Sequence, residues 1–271
     1  MVELELAREQ HRARGIGRRR VVQDRREIRH ALGKPLRRAQ ARGVEKGTGS
    51  AGTTATLTAN GAAQARVTGS LTSVGDLTMT VNGTGNASAA QLTTTGAGSD
   101  IIVSSGSIGI TTANAADMLN LTATNGDASL GTGTAGGSFA LRTLSGVGNV
   151  FVTGSVVGGA ASSIVSVNNA RIASASTTAG SLSATAAREV TGLLPLDRAN
   201  FSAVGGDLTV TAGTLARLGT ASAGSSATED LIVTADAIDV TSATATGLLN
   251  LAADVGDLIL GTGSSGTTAT L

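Results

Sequence analysis

The chain has no cysteine, tryptophan or tyrosine, and only three phenylalanines and two prolines in 271 residues. Without cysteine, disulfide bridges, thiolate catalysis and zinc sites built on cysteine are excluded. With so few aromatic rings, the chain lacks the side chains that bury the largest areas in a wide core. No apolar run approaches the ~20 residues of a membrane-spanning helix, and the N-terminus lacks the apolar stretch of a secretory signal.

Glycine accounts for 38 residues, and hydrophobic residues make up 41% of the chain. Disorder is the competing interpretation for a chain so rich in glycine, serine and threonine. Disordered chains have low hydrophobicity, whereas the apolar residues here recur in short alternating runs. Small β-branched side chains fit the pleated surface of a sheet. The composition therefore favours an ordered β-structure with a thin core.

The net charge of +1 conceals a sharp division along the chain. Residues 1–46 hold 14 of the 20 lysines and arginines, 6 of the 19 acidic residues and both histidines, which makes their net charge +8. Residues 47–271 hold the other 6 arginines, no lysine and 13 acidic residues, which makes their net charge −7. We predict a boundary between a basic tail, 1–46, and a repeat region, 47–271.

Three hypotheses stand for the basic tail. Its apolar spacing predicts a helix near 19–32, whose arginines would form a cationic face suited to nucleic acid or an anionic surface. No aromatic residue is interleaved for base stacking, so an inert solvated tail is the second hypothesis. The third, which we favour, is a non-native stretch read from the wrong frame of GC-rich repetitive DNA. The abrupt start of the repeat at Gly47 supports this third hypothesis. We therefore expect no nucleic-acid partner.

Internal repetition dominates the rest of the chain. Residues 47–57 read GTGSAGTTATL, residues 261–271 read GTGSSGTTATL, and a related copy, GTGTAGGSFAL, occupies 131–141. A longer repeat aligns 99–121 with 229–251 without gaps. Its apolar positions coincide, as Ile101 and Val103 do with Leu231 and Val233. Repetition on this scale indicates a solenoid, in which each coil buries its apolar side against its neighbours.

Shorter runs inside the repeat alternate apolar residues with threonine or serine, as in DLTMTV at 76–81. Such alternation predicts strands with one face turned inward. At roughly 20 residues per coil the region would form about 11 coils, a rod on the order of 50 Å long. The predicted fold is an all-β parallel β-helix. A sandwich of short hairpins is the rival, supported by the Asn82-Gly83 and Asn125-Gly126 dipeptides.

The phrases GDLTVTAGT, SGSIGITTA and NLTATNGD resemble the repeats of filamentous-haemagglutinin-type exoproteins and autotransporter passenger regions. The resemblance covers about 47–271, and its motifs are short and degenerate. It implies a right-handed parallel β-helix, secreted or displayed by Gram-negative bacteria, often as an adhesin. The chain lacks the N-terminal secretion domain and C-terminal translocating barrel of complete members. We therefore expect a fragment of a larger exoprotein, exported with an outer-membrane partner supplied elsewhere.

Catalytic candidates are few, because residues 47–271 contain no histidine, cysteine or lysine. β-Helix polysaccharide lyases and hydrolases use clustered carboxylates, for which the candidates are Asp230, Asp236, Asp239, Asp254 and Asp257. Several aspartates precede apolar strand runs, where the side chain can accept bonds from backbone N–H groups at a turn. We favour that structural role over a stacked calcium site or catalysis, and we predict no catalytic, cofactor-binding or metal-binding residue.

Three further features carry weaker signals. The Gly131-Thr132-Gly133 stretch lacks the lysine ending of a phosphate-binding loop, and we assign it to a turn. Thr-x-Thr pairs at Thr78/Thr80 and Thr209/Thr211 are too irregular for an ice-binding ladder. Residues 188–198 contain the repeat region's only proline and several charges. They predict a loop protruding from the rod, which is either a recognition loop or, as we favour, a linker.

We therefore predict a non-catalytic structural or adhesive repeat protein at the bacterial surface or outside the cell. It would meet a host or neighbouring cell through a glycan or protein, and it would associate end to end through its open coils. The alternative is a carbohydrate-active β-helix enzyme, for which two or three carboxylates should converge in a groove.

Overall fold

The computed structural model describes residues 40–41, 43–194 and 196–271. The helix predicted near 19–32 lies outside these residues. The described part of the chain contains strands and turns and no helix, so no membrane-spanning helix is found in it. Its 25 strands form two parallel sheets, here named sheet A and sheet B.

The strands of sheet A are short and, between the chain ends, mostly span five positions. They are β1 (Gln40–Ala41), β4 (Ala55–Asn60), β6 (Leu77–Asn82), β8 (Ile101–Ser105), β10 (Leu119–Ala123), β12 (Phe139–Thr143), β14 (Ser162–Ser166), β16 (Leu182–Ala186), β19 (Leu208–Ala212), β21 (Leu231–Ala235), β23 (Leu249–Ala253) and β25 (Ala269–Thr270).

The strands of sheet B are longer, and several bend at a register shift near their middle. They are β2 (Val44–Lys46), β3 (Gly49–Ala51), β5 (Ala65–Ser73), β7 (Asn86–Thr94), β9 (Ser107–Ala115), β11 (Ala128–Ala135), β13 (Val150–Gly158), β15 (Ala170–Thr177), β17 (Glu189–Thr191), β18 (Ala199–Ala203), β20 (Leu215–Ala223), β22 (Ala237–Ala245) and β24 (Leu258–Ser265).

The chain passes alternately through sheet A and sheet B, and each strand pairs with the strand one coil away. Every pairing among the described strands is parallel, which confirms the solenoid and excludes the hairpin sandwich. The stack has about 11 coils, as predicted. Coil length varies, since the coil that separates Ile101 from its partner Leu119 is shorter than the coil that separates Leu182 from its partner Leu208.

The sequence repeat is also a repeat of strands. The five strands β8 to β12 recur as β21 to β25, and each keeps the same distance along the chain from its counterpart. Ile101, Val103, Leu231 and Val233 all point inward and are fully buried. Matching inward side chains keep the cross-section of the core constant between the two copies, which close packing requires. The central prediction of a narrow stacked core is confirmed.

Gly131 and Gly133 do not form the turn that the sequence indicated, because both lie within strand β11. Gly133 faces the core, where an added Cβ would lie 2.8 Å from Leu130 Cδ2 and 3.1 Å from Leu119 Cδ2. The missing side chain leaves room for these two leucines. Gly133, which the sequence assigned to a turn, is therefore needed for close packing in the core.

Inward serines and threonines at the strand ends satisfy the backbone of the corners. Ser162 Oγ donates to the Ala160 carbonyl at 2.9 Å and accepts the Phe139 N–H at 3.0 Å. Thr143 Oγ1 donates to the Gly148 carbonyl at 3.2 Å and accepts the Val167 N–H at 3.0 Å. Buried polar groups need such partners, so these hydroxyls tie each corner to the coil beside it.

The stacking begins before the boundary predicted after Lys46. Strand β1 pairs with β4, and Val44–Lys46 (β2) pairs with the start of β5 in a parallel register. These first strands therefore extend the solenoid into the last residues of the basic tail.

Candidate interaction surfaces

Two adjacent columns of uncharged side chains run along the outer surface of sheet B, on the C-terminal half of its strands. Successive coils add one residue to each column in register. The columns are Ser70, Gln91, Thr112, Thr132, Ser155, Ser174, Asn200, Thr220, Ser242 and Thr262, and Thr72, Thr93, Asn114, Thr134, Val157, Ser176, Ser202, Ser222, Thr244 and Ser264. We call this surface the hydroxyl face, because all its members except Val157 carry a hydroxyl or an amide.

Hydrogen bonds link neighbouring coils along the hydroxyl face. Thr134 Oγ1 donates to Asn114 Oδ1 at 2.9 Å, and Ser222 Oγ donates to Ser202 Oγ at 3.0 Å. Each such bond holds a side chain in one orientation. This face is not evident from the continuous sequence, because the register shift in the middle of the strands resets the two-residue alternation. The signal is visible once each half-strand is counted separately.

The outer surface of sheet A is less regular. Thr78 and Thr80 face outward in β6, as Thr209 and Thr211 do in β19. Between these coils the same columns contain other residue types, including Ile102, Ala140, Arg142 and Val165. The Thr-x-Thr pair of β6 continues to Thr56 and Thr58 of β4, but it is not kept in the coils between β6 and β19.

Aspartates at the corner where the chain passes from sheet B to sheet A bind the next coil. Asp207 Oδ1 accepts the Asp230 N–H at 2.9 Å, and Asp230 Oδ1 accepts the Leu248 N–H at 2.7 Å. In the first copy, Asp76 Oδ1 accepts the Asp100 N–H at 3.1 Å. A charged acceptor strengthens such a bond. The turn role predicted for these aspartates is confirmed, and the bonds cross between coils.

The five aspartates weighed as catalytic candidates lie on different sides of the coil. Asp230 is at the corner before sheet A, whereas Asp239 is on the outer surface of sheet B in β22. Asp236, Asp254 and Asp257 lie at the opposite corner, where the chain passes from sheet A to sheet B. The five do not converge in one groove.

In the described residues, no group of three or more histidine, cysteine, aspartate or glutamate side chains is placed to hold a metal ion. Glu229 Oε1 accepts the Ser226 hydroxyl at 2.5 Å, and Glu229 Oε2 accepts the Ser226 N–H at 2.7 Å and the Thr246 hydroxyl at 3.0 Å. The Ser226 hydroxyl bond is the main cause that lowers the pKa of Glu229 below its usual value. These contacts anchor a corner and give Glu229 a structural role.

The loop predicted in 188–198 is present as an insertion into one strand of sheet B. Arg171 and Ser174 of β15 pair with Thr191 and Asn200, so two residues of β15 lie opposite the eight residues 192–199. We call 192–198 the insertion loop. Because β17 and β18 keep their pairing on both sides of it, the loop leaves the stack without interrupting the coil.

The insertion loop is held by its own hydrogen bonds and by one ion pair. The Gly192 N–H donates to the Asp197 carbonyl at 3.0 Å, and the Asp197 N–H donates to the Leu194 carbonyl at 2.9 Å. Arg198 contacts both carboxylate oxygens of Asp239, at 2.7 and 2.9 Å, and Arg217 Nε contacts Asp239 Oδ2 at 3.3 Å. Asp239 is a catalytic candidate by sequence. In the structure its ion pair with Arg198 connects the loop to β22, which belongs to a later coil.

Two leucines of the insertion loop remain in solvent. Leu194 is 64% exposed and Leu196 is 82% exposed. Arg171 Nη1 donates to the Leu193 carbonyl at 3.4 Å, which places a third arginine beside the loop. The loop therefore holds two apolar side chains in solvent beside arginine side chains.

Comparisons of the chain with protein-family models, with curated proteins and with solved structures found no match.

Proposed function

We propose that the chain is part of a structural and adhesive repeat protein of the filamentous-haemagglutinin or autotransporter-passenger kind, displayed on or released from a bacterial cell. It acts by presentation, without a bond-making step, cofactor or metal ion. The parallel stack is a stiff spacer, and its outer surfaces meet a host or neighbouring cell. An outer-membrane partner encoded elsewhere exports it.

The observation that carries this proposal is the contrast between the uniform interior and the outer surface of the stack. Every coil between β5 and β24 uses its inward positions for packing, whereas the outward columns form a long hydroxyl face beside one ordered insertion. Hydroxyl and amide groups in a fixed array can exchange hydrogen bonds with a glycan or a peptide chain. The insertion loop adds two exposed leucines to a face whose only apolar member is Val157.

End-to-end association forms part of the proposal. Among the described strands, β24 and β25 are each paired on one side only. Unpaired strand edges are templates for further strands. The chain is expected to form open-ended assemblies, and an added proline in β24 should reduce them.

Adhesion is tested with beads coated with the full chain. We expect attachment to bacterial or epithelial cells well above that of albumin-coated beads, and a reduced level for the Thr220→Val, Ser222→Ala double variant of the hydroxyl face. The Thr209→Val, Thr211→Ala variant on sheet A is the matched control. Equal attachment of coated and albumin beads to every surface would sink the adhesive role.

The same preparation tests the catalytic alternative. Polysaccharides with and without uronic acids are incubated with the chain, and new reducing ends are counted. We expect none. Cleavage that disappears in Asp236→Asn or Asp254→Asn variants would replace the adhesive proposal with an enzyme.

A further inference from the structure

The exposed apolar residues at the insertion loop have a counterpart elsewhere on the molecule. Val255 is 83% exposed at the corner after β23, between Asp254 and Gly256. Asp236 and Asp257 lie at the same corner of adjoining coils. We call Asp236, Asp254, Val255 and Asp257 the acidic corner.

The two sites differ in charge. Four of the six arginines in 47–271 lie in the short segment that surrounds the insertion loop, namely Arg171, Arg188, Arg198 and Arg217. Beyond Arg217 the chain has no lysine or arginine, and its six acidic residues include the three aspartates of the acidic corner. Near the loop, Asp239 is paired with arginine and Asp197 Oδ2 accepts the Leu194 N–H. Glu189 is the remaining acidic residue close to the loop in sequence, so arginine dominates the charge around the loop.

Both sites face the same side of the stack. A single outward column of sheet B joins Arg217 to Asp239 and Asp239 to Ile259. The insertion loop leaves the coil of β17, and the acidic corner borders β24, three coils further on. At about 4.8 Å per coil, the separation along the axis is on the order of 14 Å.

We propose that two copies of this chain pack side by side and antiparallel, with Leu194 and Leu196 of one copy against Val255 of the other. The arginines around the loop then face Asp254 and Asp257 of the partner copy. A two-fold axis between the sites makes both contacts at once, since an isologous interface repeats each contact by symmetry. An antiparallel arrangement also separates the two acidic ends, whereas a parallel one would bring like charges together. The inference concerns self-association and does not depend on the adhesive target.

Sedimentation equilibrium of the full chain tests the stoichiometry. We expect a dimer as the unit from which any end-to-end assembly grows, and the Leu194→Ser, Leu196→Ser variant should weaken that dimer at least about tenfold without changing its circular dichroism. Val165→Ser, on sheet A, is the matched control and should leave the dimer unchanged. A monomer at every concentration would overturn the proposal. Assemblies larger than a dimer that are unaffected by the two leucine substitutions would show that the chains associate only through their strand edges.

Charge reversal tests the pairing. Arg188→Glu and Asp254→Arg should each weaken the dimer by about tenfold, and the double variant should regain most of the loss because both contacts are then reversed together. An additive loss in the double variant would contradict the arrangement. Single variants without effect on a salt-sensitive assembly would instead assign the association to the basic tail.

Crosslinking tests whether the two copies pack antiparallel. Because the chain has no native cysteine, each introduced cysteine is the only thiol that can react. A Leu196→Cys chain is mixed with a Val255→Cys chain and treated with a short bifunctional maleimide. Mixed pairs should predominate over pairs of identical chains. Predominant Leu196→Cys homopairs would indicate parallel packing, and a Val165→Cys chain should crosslink to neither.

Discussion

Strand β15 and the pair β17–β18 occupy neighbouring rungs of sheet B, one continuous and one broken by the insertion loop. Their inward positions are equally buried, as Ala170 and Val190 are at the start of the rung and Ala175 and Phe201 are further along. The difference is confined to the outside. The comparison shows that residues can be added to a coil without disturbing the core when they project outward from it.

The position of the insertion has a physical reason. Other sheet B strands show a register shift at the equivalent place, between Val67 and Ser70 in β5 and between Val152 and Ser155 in β13. The hydrogen-bond ladder is already irregular there. A loop inserted at this point costs fewer ladder hydrogen bonds than it would cost elsewhere in the strand.

The largest expected effect tests whether the broken rung still carries the core. Phe139 of the regular strand β12 and Phe201 of β18 are both almost fully buried. Phe139→Ala and Phe201→Ala should each lower the free energy of unfolding by about 3–5 kcal/mol, because each leaves a cavity. Urea unfolding measures both, with the exposed Val165→Ala as control. A loss under about 1 kcal/mol for Phe201 alone would show that the broken rung is not packed like the others.

Overpacking in a regular rung should cost less. Gly133→Ala places a methyl group 2.8 Å from Leu130 Cδ2, and the expected loss is about 1–3 kcal/mol. Gly109 points outward in β9, where nothing lies within 4 Å of an added Cβ. Gly109→Ala is the matched control and should be neutral or slightly stabilising in the same urea experiment. Equal effects of the two changes would contradict the inward placement of Gly133.

The corner bonds between coils are expected to contribute less again. Asp230→Ala removes the acceptor of the Leu248 N–H, and the loss should be about 1 kcal/mol. Asp254→Ala changes an exposed aspartate at the opposite corner and serves as the control. Hydrogen exchange of the Leu248 amide should also accelerate in Asp230→Ala. An unchanged exchange rate would contradict a protective hydrogen bond between the Leu248 N–H and Asp230.

The smallest effect is expected from removing the insertion itself. Deleting 193–198 leaves two residues between Thr191 and Asn200, the same number as in β15. The deletion removes the ion pair between Arg198 and Asp239, which is partly exposed, and such a pair contributes roughly 0–1 kcal/mol. The thermal midpoint should move by only a few degrees and the circular dichroism should stay that of strands. Loss of the cooperative transition would show that the loop supports the stack.

Much of the fold could be predicted from the residues. The long internal repeat and the alternating runs placed Ile101, Val103, Leu231 and Val233 inward, because a period of two has only one face to bury. The same logic failed at Gly133, since glycine is equally common in turns and at close approaches. The alternation cannot tell these two uses apart without knowing which side chains lie opposite.

The candidate surfaces were only partly foreseen. The charges and the proline of 188–198 indicated the loop, but the bond from Arg198 to Asp239 joins residues 41 positions apart. The hydroxyl face likewise brings together residues from ten coils. Neither the partner of Asp239 nor the straightness of those columns follows from local spacing, because the coils differ in length.

What this sequence determines by itself is a thin, stacked β-structure: small apolar side chains at alternate positions can leave water only by lying above one another, and the repeat ensures that they do. Which outward residues become neighbours was decided by the tertiary structure alone. Parallel stacking sets the register of one coil on the next, and turns of unequal length carry chemically matched residues into line or out of it.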